Sequence, residues 1–90
     1  MSQIDNLRAE IDRLDESLVL LLAQRFRVTD KVGKLKKDHQ LPAIDEERER
    51  QQAKKIKELA DQHGLSNDLA QAVLRLIIDE VVRNHKQAAF

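Results

Sequence analysis

Apolar residues recur along the first third of the chain at alternating steps of three and four. Ile4, Leu7, Ile11, Leu14, Leu18 and Leu21 form the run, and Val28, Val32 and Leu35 resume it in the same register. That is the seam of a coiled-coil-like helix. One position breaks it: Arg25 stands where an aliphatic residue is due. Arg8 and Lys36 lie beside the seam, each directly after a seam leucine. Punctuation is sparse. Pro42 follows "KDHQL", and "HGLSND" at 63–68 offers Gly64 to end a helix and Ser66 to cap the next. The pattern predicts three helices, about 3–38, 43–63 and 66–87, in one domain spanning 1–90.

The first of these is roughly 50 Å long at 1.5 Å per residue. Two shorter helices cannot cover that length within one compact chain. A symmetric dimer, with long helices packed on each other, is the economical solution. The expected class is therefore all-α, with one long and two shorter helices per chain, as a homodimer.

The second helix opens on six consecutive charges, Asp45 to Arg50. On a helical wheel Ile56, Leu59 and Ala60 mark its inner face. Asp45, Arg48, Glu49 and Gln52 project onto the same face, whereas Glu46, Glu47, Arg50, Lys54, Lys57 and Glu58 project away. Acidic residues in a first turn also suit the helix dipole, and Pro42 suits the entry. Asp45 and Glu49 thus admit two readings, a solvated helix start or an inward polar patch. The third helix is apolar along Leu69, Ala70, Val73, Leu74, Ile77, Ile78, Val81 and Val82, and His85 continues that arc. His85 is either a satisfied core or helix-end residue or a functional one.

Composition narrows the chemistry. Sixteen Lys and Arg balance sixteen Asp and Glu, which argues against a nucleic-acid or membrane-surface binder. Two phenylalanines are the only aromatic rings, too few for base stacking. There is no cysteine, hence no disulfide and no thiolate chemistry. No histidine pair has metal-ligand spacing, and no metal or cofactor is expected. With no long apolar run and no glycine-rich phosphate loop, the sequence reads as a cytoplasmic protein acting by orientation and electrostatics.

The inward or seam-flanking polar groups are Arg8, Arg25, Lys36, Asp45, Arg48, Glu49 and His85. Buried charges need partners. Two carboxylates neutralise two of the four cations, and the surplus invites an anionic ligand that arginine forks hold by its carboxylates. Arg8 and Arg25 lie 17 residues apart on one helix, roughly 25 Å. They cannot hold one small molecule within one chain. An antiparallel partner helix brings the other subunit's equivalent of Arg8 to Arg25, so two equivalent shared sites per dimer are expected.

These residues resemble the all-helical chorismate mutases, the AroQ type. The resemblance covers nearly the whole chain. It rests on "LRAEIDRLDESLVLLLAQR" at 7–25, "VGKLK" at 32–36, "PAIDEERE" at 42–49 and "LIIDEVV" at 76–82. It implies an intertwined homodimer and the Claisen rearrangement of chorismate to prephenate, en route to phenylalanine and tyrosine. Arg8, reaching the partner's site, and Arg25 would hold the substrate carboxylates. Lys36 would bind a carboxylate and the enolpyruvyl ether oxygen, Asp45 and Glu49 would flank the ring hydroxyl, and Arg48 would sit at the carboxylate end. Two positions depart from the pattern. His85 stands where the family has glutamine or glutamate bonded to the ether oxygen, and Val81 where it often has serine or threonine against a carboxylate. Close relatives act on aminodeoxychorismate or isochorismate, and a non-catalytic helical scaffold is the competing class. Because the chain ends just after the third helix, no fused dehydratase, dehydrogenase or regulatory domain is expected.

Overall fold

The computed structural model describes residues 2–88. They form three helices: α1 over Gln3–Asp38, α2 over Glu46–His63 and α3 over Asn67–Ala88. Each boundary has a local cause. The Ser2 hydroxyl accepts from the Asp5 backbone N–H at 3.1 Å and starts α1. At the other end Lys36 and Lys37 complement the dipole, and Gln40 turns left-handed at φ 56°. The Leu41 N–H then reaches back to the Lys36 carbonyl and the Gln40 N–H to the Lys37 carbonyl, the paired bonds of a Schellman stop. Gly64, at φ 71°, ends α2 in the same left-handed region. The Ser66 hydroxyl accepts from Leu69 N–H at 3.3 Å and starts α3.

Helix α2 begins later than its pattern suggests. The sequence points to an entry at 43, just after Pro42, but the helix starts at Glu46 with Asp45 as its N-cap. The Asp45 carboxylate accepts from the Arg48 N–H at 3.1 Å, a stronger start signal than proline three residues upstream. Ala43 and Ile44 are thereby left outside the helix and form the approach to the site.

Helix α3 is the spine. It packs against both α1 and α2, whereas α1 and α2 do not pack on each other. Its buried stripe is Ala70, Leu74, Ile78 and His85, met by Ala60 from α2 and Gly33 from α1. Gln71 ties α3 to α2 through the Ala53 carbonyl at 2.9 Å. Leu69 and Val73 of α3 and Leu59 of α2, all on predicted inner arcs, remain exposed. They lie on flanks of the arcs that a single neighbouring helix does not reach.

Only the second half of α1 is covered. Every described residue before Leu22 is exposed, including the seam residues Ile4, Leu7, Ile11, Leu14, Leu18 and Leu21. The chain measures 57 × 25 × 14 Å, with a radius of gyration of 16.5 Å. A compact chain of this length would have about 12 Å. No helix among the described residues is long and apolar enough to cross a membrane.

The two glycines make a paired test. A Cβ on Gly33 would stand 2.5 Å from Cδ2 and 2.8 Å from Nε2 of His85, a side chain 9% exposed. Gly64 has open space around it but a positive φ. Gly33→Ala should therefore destabilise by about 1–3 kcal/mol despite its better helix propensity, through overpacking. Gly64→Ala should cost about 1 kcal/mol through backbone strain alone. Chemical denaturation checks both, and removing the ring with His85→Ala should relieve the first penalty and not the second.

Candidate active site

Because α3 holds two helices that do not touch, a gap remains between α1 and α2. It forms a cavity of about 390 Å³. Helical spacing decides what lines it. From α1 come Arg25, Thr29, Val32 and Lys36, steps of four, three and four on one face. From the start of α2 come Asp45, Arg48, Glu49 and Gln52. The floor is Ile78, Val81 and His85 of α3. The residues expected at the site from one chain thus meet in one cavity. Arg8 does not line it: it lies on the exposed half of α1.

The charges are arranged unlike the expected neutralisation. Asp45 uses one oxygen to cap α2. Glu49, whose side chain is 23% exposed, is held from outside the cavity by Arg75, Nη1 to Oε1 at 2.9 Å. Arg75 also donates through Nε and Nη2 to Asp79 at 2.9 and 2.8 Å. The bond to Glu49 first, and then that to Asp79, hold the Arg75 guanidinium above its ordinary pKa. Lys36 donates to the Ala43 carbonyl at 3.3 Å, which draws the loop after α1 toward the site. Among the described residues, Arg25, Lys36 and Arg48 have no carboxylate within ion-pair distance. Three cations face one cavity with their charge uncompensated.

His85 forms part of the cavity wall and is buried. Its Nε2 lies 3.0 Å from the Thr29 carbonyl. A carbonyl only accepts, so Nε2 carries the proton and the neutral ring keeps its lone pair on Nδ1. That Nδ1 is buried and has no partner. Val81, half-buried, presents only methyl groups to the cavity.

Two participants were not singled out in the sequence. Thr29 lies one turn beyond Arg25, so the spacing of Arg25 and Lys36 was a signal for it. Arg75 carries no such mark: it is one exposed arginine on α3, and only the folded geometry brings it to Glu49.

Comparison with known proteins finds relatives along the whole chain. The T-protein of Haemophilus influenzae is 39% identical over 92 aligned residues, covering all of this chain and 24% of that protein. The chorismate mutase of Methanocaldococcus jannaschii is 23% identical over 87 residues, 97% of this chain and 88% of that protein. A bifunctional chorismate mutase/prephenate dehydratase of Aquifex aeolicus is 39% identical over 56 residues, 62% of this chain and 16% of that protein. The chain therefore spans about a quarter of the T-protein it matches. The family described as chorismate mutase type II matches residues 7–86, nearly the whole helical unit, and the chain belongs to that family of isomerases.

Proposed function

We propose that this chain catalyses the rearrangement of chorismate to prephenate, in the cytoplasm, as a homodimer with two shared sites. The observation that carries the reading is the trio of uncompensated cations, Arg25, Lys36 and Arg48, facing one cavity. Chorismate brings two carboxylates, a ring hydroxyl and an ether oxygen. Arginine forks suit the carboxylates, Lys36 suits a carboxylate and the ether oxygen, and the free oxygens of Asp45 and Glu49 suit the hydroxyl. The reaction exchanges a C–O bond for a C–C bond within one molecule. It needs a folded conformer and stabilisation of charge growing on the ether oxygen, with no covalent intermediate. Incubating the purified chain with chorismate tests this. Prephenate at the uncatalysed rate would sink the mutase reading in favour of a scaffold, and turnover confined to isochorismate or aminodeoxychorismate would move it to a sister activity.

The dimer rests on the bare half of α1. Its seam residues are more than half exposed from Ile4 to Leu21. A second α1 laid antiparallel covers them and carries the other subunit's copy of Arg8 toward Arg25. Arg8→Ala and Arg25→Ala homodimers should each lose about 10²-fold or more in kcat/KM. Mixed dimers should regain one good site, the one in which both arginines survive. No recovery after verified subunit exchange refutes a role for Arg8 in trans.

His85 is proposed to serve the ether oxygen where glutamine serves in the family. With Nε2–H committed to Thr29, it donates from Nδ1 only after taking a second proton, or from Nε2 only by leaving that carbonyl. The charged groups around it are Arg25, Lys36, Asp45, Arg48 and Glu49 in the cavity, with Lys37 and Lys86 on its other side. His85→Gln should retain activity, because an amide donates to a ligand without a change of protonation state. His85→Ala should lower kcat by about 10²-fold and change KM little, the mark of a transition-state contact. Unchanged kinetics in both variants would leave His85 as the packing partner of Gly33 alone.

A further inference from the structure

We propose that Arg75 is a positioning residue for this site, acting through Glu49 without entering the cavity. The inference rests on the mutase reading for its substrate and on geometry for its mechanism. Arg75 does not line the cavity, and Glu49 does. The guanidinium grips Oε1 of Glu49 at 2.9 Å from the α3 side. Oε2 is then the oxygen left for a ligand hydroxyl. Asp79, one turn along α3, receives Nε and Nη2 and thereby fixes the plane of the guanidinium before Glu49 meets it. This is a use of the arginine fork that a lysine ammonium reproduces only in charge.

The electrostatic consequence is as important as the geometric one. The cavity holds three cations against two carboxylates, barely a surplus for a substrate with two negative charges. Arg75 offsets the Glu49 charge from behind, so the three cations act on the ligand more nearly undiminished. Asp79 draws on the same guanidinium, but its side chain is 62% exposed and outside the cavity, where water screens it. A half-exposed ion pair contributes little to stability. Its value here lies in where it holds the Glu49 oxygens.

Steady-state kinetics on the full chain tests the proposal, with helicity and Tm of each variant measured beside it. Arg75→Ala should raise KM for chorismate by about tenfold and change kcat by less than about threefold, since a repelling and wandering Glu49 weakens binding first. Arg75→Lys should recover about half of that loss on a logarithmic scale, because charge returns without the fork. In a Glu49→Gln background, adding Arg75→Ala should change KM by less than about twofold, because the carboxylate it serves is gone. A KM in Arg75→Ala equal to wild type, or an undiminished effect in the Glu49→Gln background, overturns the proposal. So does a lowered Tm with KM unmoved, the signature of a structural tie only. A substrate-free arm separates this from the mutase reading. Rotation of the Arg75 guanidinium, followed by ¹⁵N NMR, should be restricted in wild type and faster in Glu49→Gln. Free rotation in wild type sinks the Arg75 inference whatever the chain turns over, whereas restricted rotation in a chain inert toward chorismate sustains the pair and sinks the mutase reading.

Discussion

Charge left uncompensated in a cleft is the constraint on which the site depends. Arg25, Lys36 and Arg48 face the gap between α1 and α2, and neither acidic residue of the cavity pairs with them. A protein minimising its own energy would have closed these pairs. Here Asp45 is spent on the α2 N-terminus and Glu49 on an arginine behind it. What remains is concentrated positive charge, which in the proposed reading suits a ligand carrying its own carboxylates. Ligand binding then replaces water around the cations with oriented negative charge, and that orientation is what a unimolecular rearrangement requires.

The cleft exists because of an asymmetry in packing. Helix α3 touches both neighbours, and the neighbours do not touch each other. Close approach to α1 is possible at Gly33, where any side chain would strike the His85 ring. Close approach to α2 is possible at Ala60 and Ala70, both small and buried. Small residues therefore sit where helices must meet, and long polar ones where they must stay apart. The exposed first half of α1 is the other side of the same economy. A helix long enough to reach a neighbouring chain cannot be covered by its own, and the proposed dimer uses that excess to complete each site.

How much was legible in the sequence follows from which signals are periodic. The α1 seam, its break at Arg25 and the flanking Lys36 are one-dimensional patterns, and the structure places both cations on the cavity face they imply. The inward half of the charge run at the start of α2 was equally readable, since 100° per residue separates Arg48 and Glu49 from Glu46 and Glu47. The start of α2 was misjudged because an N-cap competes with proline through one hydrogen bond that periodicity does not encode. The pairing of charges was misjudged for a deeper reason. Mutual neutralisation of Asp45, Glu49 and the cations was the economical expectation, but Glu49 found a partner 26 positions away on α3. Nothing in the spacing of Arg75 announces that meeting.

His85 packs against Gly33 and also lines the cavity, and the resemblance drawn from the sequence implies glutamine or glutamate at this position. A glutamine amide carries separate donor and acceptor ends and can serve a carbonyl and a ligand without a change of state. An imidazole that gives its only proton to Thr29 has a lone pair left, and a lone pair repels an ether oxygen. Whatever help His85 gives the reaction must therefore be coupled either to a second proton or to release of the Thr29 carbonyl. Val81 offers the cavity no polar atom from the same helix face. In the proposed reading the α3 wall therefore gives a ligand less fixed hydrogen bonding than the resemblance implies, and the demand falls more heavily on the cations of α1 and α2. That shift gives the placement of Glu49, and of the arginine behind it, its importance: with fewer contacts to orient the ligand, each remaining oxygen must be held where it is needed.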